Sequence, residues 1–258
     1  MRYPKGGISL KSSQDTLLLQ QVLRSRHVSH AQLWQFMQLK VREHRRRIFN
    51  WRVSRLVQHD LIARRDVTLQ ERMWVYSITQ QGAQYLVGLG EGAALVASAA
   101  AKKREDSVVL HSLGLNDIHL SLLRRGQLVR WKSELEVLSL NELTGYGYAK
   151  DYDAVVTVNS GGRDLSFGLE YERHPKASKR YWQVRQAIEN EKQLGCFLYL
   201  TPSYDLLSYV AGFYERCTSA VYFGLINELC ESGLDARVVD SKRALAVPLG
   251  SVLEITAH

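Results

Sequence analysis

A chain of 258 residues with 45% hydrophobic and 23% charged residues can bury ordinary cores and is long enough for two domains. No apolar run is long enough to span a bilayer, no secretory signal is visible, and Cys196, Cys217 and Cys230 fit neither a disulfide framework nor a zinc site. A cytoplasmic protein with reduced thiols and no membrane role is expected.

The net charge of +8 is unevenly placed: residues 1–87 hold 15 Lys and Arg against 5 Asp and Glu, and residues 88–258 hold 19 against 21. Apolar residues at 18, 19, 22 and 23 predict a first helix, and Ser29 caps a second. A third runs from about Arg45 to His59, with Phe49, Val53, Leu56 and Val57 on one face. The segments 61–65 and 73–78 alternate as a hairpin with a polar tip, after which Thr79 opens a fourth helix. Three helices, a hairpin and a closing helix describe a winged helix-turn-helix over residues 1–88. In that architecture the third helix enters the major groove and the hairpin lies beside it.

The positive charge crowds around Arg42-Glu-His-Arg-Arg-Arg-Ile-Phe-Asn-Trp-Arg52, the footprint of a polyanion binder. With the apolar face inward, Arg46, Arg47, Asn50 and Ser54 fall on the opposite face. Arg pairs bidentately with guanine, Asn with adenine, and Ser with base or phosphate. Arg45, with Arg64, Arg65 and Arg72 at the base and flank of the hairpin, suits phosphate contact. The expected partner is double-stranded DNA. The alternative partner is an acidic protein gripped by the basic helix, as in a recruiting adaptor.

Residues 89–105, clustered glycines followed by an Ala-rich run, read as an interdomain linker rather than a dimerising helix. The second module, residues 106–258, opens with a helix over 107–123 that exposes or half-buries His111, Asn116 and His119. A strand or strand-turn is expected over 128–138 and a strand over 152–158. A Gly161-Gly162 turn leads to a strand over 165–172, then to a long amphipathic helix from about 177 to 194. Residues 196–200 are a strand of the buried kind. Further on, 204–217 suggests a helix, 220–225 is ambiguous and 236–240 is a late strand. The module is therefore of α/β class.

The element order, with Asp153 at the entry of one strand and Glu170 near the end of the next, resembles the restriction-endonuclease-like core. The resemblance implies that Asp153 and Glu170 hold Mg²⁺, with Glu134, and Asn116 or His119 on the preceding helix, as further ligands. It also implies a lysine two residues after the second carboxylate to activate water. Glu172 stands there instead, so cleavage would need Lys176 or Lys179 in that role. The simpler expectation is a core that does not cut.

Together the two halves resemble the replication-relaxation family of plasmids and other mobile elements. The resemblance is carried by the Arg-rich winged helix ending in Arg55-Leu-Val-Gln-His-Asp-Leu-Ile62, by Tyr76-Ser-Ile-Thr-Gln-Gln-Gly82 and by His111-Ser-Leu-Gly-Leu-Asn-Asp-Ile118. Trp131-Lys-Ser-Glu134, Tyr152-Asp-Ala-Val155 and Gly168-Leu-Glu-Tyr-Glu-Arg173 extend it. The family more often has Pro-Asp at Tyr152-Asp153 and Glu-x-Asp at Glu170-Tyr-Glu172. The resemblance implies a sequence-specific DNA-binding protein acting in transcriptional regulation, plasmid replication or mobilisation. A homodimer is expected, since one winged helix covers only a short half-site.

Overall fold

Leu18, Leu19, Val22 and Leu23 recur at helical spacing, and all four are fully buried on α1 (Asp15–Ser25). The fold is given by a computed structural model that describes residues 10, 14–68, 72–91, 106–145, 147–242 and 245–256. Most of the expected linker and the tip of the expected hairpin lie outside the described residues. The chain divides into two compact units, at Leu113/Gly114.

In the first unit α1 leads to a short strand, β1 (Val28–Ser29), and to α2 (His30–Val41). Ser29 caps α2 as expected: its hydroxyl accepts from the Gln32 amide at 3.1 Å, and the Gln32 side chain accepts from the Ser29 amide at 3.2 Å. α3 (Arg46–Gln58) buries Phe49, Val53 and Leu56. Then β2 (Ile62–Thr68) and β3 (Arg72–Ile78) pair antiparallel, with Arg64 opposite Tyr76 and Asp66 opposite Trp74. β1 completes a sheet of order β1-β3-β2. Thr79 caps α4 (Gln80–Val87) through the Gly82 amide at 3.0 Å. α1 packs on α2, α4 and β3.

The next helix, α5 (Asp106–Arg124), contains the division between the units. Up to Leu113 it belongs to the first unit, where Val109 and Leu113 pack against Val67 and Val75 of the hairpin. Gln32 of α2 also donates to the Leu113 carbonyl at 2.9 Å.

The second unit is mixed α/β. Its seven-stranded sheet has the order β10-β9-β8-β7-β6-β5-β4. The strands are β4 (Leu128–Ser133), β5 (Ala154–Ser160), β6 (Arg163–Tyr171), β7 (Cys196–Thr201), β8 (Ala220–Leu225), β9 (Arg237–Asp240) and β10 (Val247–Pro248). β6, β7 and β8 run parallel and the outer pairs antiparallel. One face is covered by the second-unit part of α5, α9 (Ile226–Ser232) and α10 (Leu249–Thr256). The other is covered by α7 (Ser178–Glu189) and α8 (Tyr204–Gly212). Every residue of β7 is buried, as a strand with both faces covered requires.

Four expectations change. The strand expected over 128–138 ends at Ser133. There Glu136 accepts from the Ser133 amide at 2.8 Å and starts α6 (Glu134–Leu143). The helices expected to reach 194 and 217 stop at Glu189 and Gly212. Residues 220–225 are the strand β8. Asn116 and His119 are buried rather than exposed or half-buried, with His119 stacked on Trp131 at 4.5 Å. No helix among the described residues is long and apolar enough to cross a membrane.

Candidate functional site

Because Phe49, Val53 and Leu56 anchor α3 to the core, its opposite side is open. Arg46, Arg47, Asn50 and Ser54 are all exposed there, and Arg45, at the N-cap, is exposed beside them. Alternation along the hairpin sorts its cations by face. Arg64 and Arg72 share a face with Tyr76 and Trp74, whereas Arg65 falls on the other face, with Val67 and Val75. The expected set of three hairpin arginines is therefore not brought together.

A cleft lined by Ser29, His30, Arg46, Arg72 and Trp74 runs between the start of α2, the start of α3 and the hairpin. Arg46 of the cleft and Arg64 of the hairpin lie against aromatic rings. Arg46 sits over Trp34 at 5.0 Å and over Phe49 at 5.6 Å, and Arg64 sits over Trp74 at 4.8 Å. Such stacking fixes an arginine stem while leaving its N–H groups directed outward. Arg72 is less available, being paired with Asp66 at 2.7 Å in the open, and this hydrogen bond holds the Asp66 carboxyl below its ordinary pKa.

His30 joins the three elements around the cleft. Its Nδ1 is 2.9 Å from the Tyr76 hydroxyl on β3, and its Nε2 is 3.1 Å from Asn50 Oδ1 on α3. Burial lowers the pKa of this imidazole and the nearby Arg46 charge lowers it further, against the raising effect of the Asn50 hydrogen bond.

Two arginines of α3 are spent inside. Asp15 is fully buried and accepts from Arg52 at 3.0 Å and from Arg55, while Glu43 lies 3.8 Å from Arg52. These cations fasten α3 to α1 and are not presented to a ligand.

In the second unit Asp153, Glu170 and Glu172 gather near the carboxyl end of β6. Asp153 accepts from the Tyr171 amide at 2.7 Å. Glu170 is buried and ion-paired with Lys150, whose ammonium also lies over the Tyr152 ring at 4.5 Å. Burial pushes the Glu170 carboxyl up to about 7, and Asp153 adds to the rise against the opposing pull of Lys150 and Lys176. Glu172, also buried, pairs with Lys176 at 2.9 Å, and Lys179 is exposed. The lysine on the second carboxylate is thus Lys150, not the expected Lys176 or Lys179. Glu134 stands in the first turn of α6, directly after Ser133, the ladder partner of Ala154.

Among the described residues no three His, Cys, Asp or Glu side chains are grouped to hold a metal ion. The expected set Asp153, Glu170 and Glu134 is therefore not assembled. In this structure Glu170 is engaged by the Lys150 cation and Asp153 by a backbone amide.

No family model, curated protein or solved structure matches this chain.

Sequence reasoning missed His30, Trp74, Lys150 and the Asp15 cluster. A lone His at the start of a helix carries no signal of its own. The pairs His30–Tyr76 and Lys150–Glu170 join positions 46 and 20 residues apart, which no local pattern couples.

Proposed function

We propose that the chain is a sequence-specific double-stranded-DNA-binding protein whose first unit is a winged helix-turn-helix. It acts as a transcriptional regulator or as a replication or mobilisation factor of a plasmid or other mobile element, as the resemblance to the replication-relaxation family implies. One observation carries this reading. Arg46, the first of the exposed row Arg46, Arg47, Asn50 and Ser54 on α3, lines the same cleft as Arg72 and Trp74 of the hairpin, with Arg64 stacked on Trp74. Cations and an amide on a helix, flanked by cations on a hairpin, match base edges and phosphates respectively.

The second unit, in this reading, is a nuclease-like α/β core that serves dimerisation or recruits a protein partner. Mg²⁺-dependent cleavage has less support, since Lys150 is paired with Glu170 and Glu172 stands where the activating lysine is expected.

The test is the retention of labelled duplex over a salt series, in EDTA, Mg²⁺ or Mn²⁺. Binding in EDTA that weakens steeply with salt is expected. The Arg46→Ala/Arg47→Ala protein should lose binding and keep its melting curve. Unchanged binding by that variant overturns the reading, and binding to acidic protein but not to duplex replaces it with the adaptor. Metal-dependent nicking that disappears in Glu170→Ala would make the chain an endonuclease.

A further inference from the structure

The hydrogen bonds of His30 determine which atom Asn50 turns outward. Asn50 Oδ1 has no proton to give, so at 3.1 Å it accepts from His30 Nε2–H. In the neutral ring Nδ1 is then bare, and it accepts the Tyr76 hydroxyl at 2.9 Å. The phenol is itself held: Tyr76 is buried at 2% exposure, with its ring centroid 5.8 Å from that of His30. Phe49 and Trp74 pack on the imidazole from two further sides, at 5.1 and 5.9 Å. With Nε2–H held on the Asn50 carbonyl and Nδ1 accepting the Tyr76 hydroxyl, the Asn50 side-chain amide is left to point from the exposed face of α3 as a donor.

We propose that His30 is the specificity-determining positioning residue of the candidate DNA site, and that it makes Asn50 a donor-only contact that selects guanine. This rests on the DNA-binding reading above. It departs from the adenine pairing that asparagine alone suggests. Adenine offers N7 as an acceptor and its N6 amino group as a donor, so bidentate recognition needs an outward carbonyl as well as an amide. Guanine offers two acceptors, N7 and O6, and both suit an outward NH₂. Cytosine presents only an amino donor at this edge and is rejected.

The experiment recovers and sequences duplexes retained by the full chain from a random-core library, in EDTA. It compares wild type with Asn50→Ala, His30→Leu, His30→Gln and Tyr76→Phe. Wild type should favour guanine strongly at one position, and Asn50→Ala should flatten that position alone, by on the order of 10-fold. His30→Leu frees the carbonyl and should move the guanine-to-adenine ratio there toward adenine by a similar factor. His30→Gln, which can still donate to Oδ1, should restore guanine. Tyr76→Phe keeps the ring packing but releases the tautomer, so it should shift the ratio in the direction of His30→Leu. It provides that arm should His30→Leu fail to fold.

A guanine-to-adenine ratio unchanged in both His30→Leu and Tyr76→Phe overturns the inference, as does an Asn50→Ala profile identical to wild type. In either case the duplex-binding reading survives. Failure of wild type to retain any duplex overturns both. Nitrogen-proton correlation spectra of the free protein test the His30 arrangement without DNA. Protonation at Nε2 at neutral pH is expected, and protonation at Nδ1 overturns the inference.

Discussion

Arg52 of α3 donates to Asp15 of α1 at 3.0 Å, and Arg55, farther along α3, holds the second oxygen of the same fully buried carboxylate. Both side chains are themselves only 10% and 15% exposed, so the cluster is a desolvated ion triad. Removing one member of such a group leaves uncompensated buried charge, which costs more than the intact cluster contributes.

Asp15→Ala should therefore destabilise the first unit by about 3–5 kcal/mol, as measured by denaturant unfolding. Asp15→Asn, which keeps an acceptor for one arginine, should cost less. A loss below about 1 kcal/mol for the alanine variant would assign the triad no structural role.

Asp66 occupies Arg72 on the open face of the hairpin at 2.7 Å. Replacing it with Asn removes both an anion and a competitor for that guanidinium. Under the DNA-binding reading, Asp66→Asn should tighten duplex binding and steepen its dependence on salt by about one released counterion. Arg72→Ala should act in the opposite direction. If neither variant alters the salt slope, Arg72 does not meet phosphate.

The Glu170 carboxyl sits at about 7, above its ordinary 4.5, chiefly because it is buried. The folded state therefore favours its protonated form. Its contribution to stability is full below pH 4.5 and is lost as pH rises toward 7. In Glu170→Gln that loss is absent. The melting temperature of the variant relative to wild type should rise steadily over this interval. A constant difference between the two proteins would mean that Glu170 titrates normally.

Gly82 lies in α4, where alanine would ordinarily stabilise a helix by about 1 kcal/mol. Here a Cβ would stand 2.0 Å from the carbonyl oxygen of Leu61, at the base of the hairpin. Gly82→Ala should instead destabilise by about 1–3 kcal/mol, because the obstacle is backbone and cannot swing away. Gly212, which ends α8 with no atom within 4 Å of such a Cβ, is the control. Alanine there should be neutral or slightly stabilising in the same thermal melts.

What the sequence determined by itself was local. The spacing of Leu18, Leu19, Val22 and Leu23, the Ser29 and Thr79 caps, and the Phe49-Val53-Leu56 stripe all act within a few residues. Short-range hydrogen bonding and helical geometry translate them directly into elements. For the same reason the exposed row Arg46, Arg47, Asn50 and Ser54 was legible, since knowing the buried side of a helix is knowing the open one. The apolar run at 196–200 likewise announced a strand covered on both faces.

The tertiary structure alone decided which charged groups meet. Fifteen cations in residues 1–87 look alike in composition, yet Arg52 and Arg55 are consumed by Asp15, Arg72 is shared with Asp66, and Arg46 is stacked and outward. The turn from strand to helix at Ser133 was hidden because Leu128–Leu138 is apolar enough for either, and the capping of Ser133 by Glu136 settles it. The pairing of Lys150 with Glu170 depends on where β5 and β6 bring the two ends of the loop and strand. The meeting of His30, Asn50 and Tyr76 depends on three elements packing at once. Electrostatic partnership is set by distance in space and by burial, and neither is a function of separation along the chain.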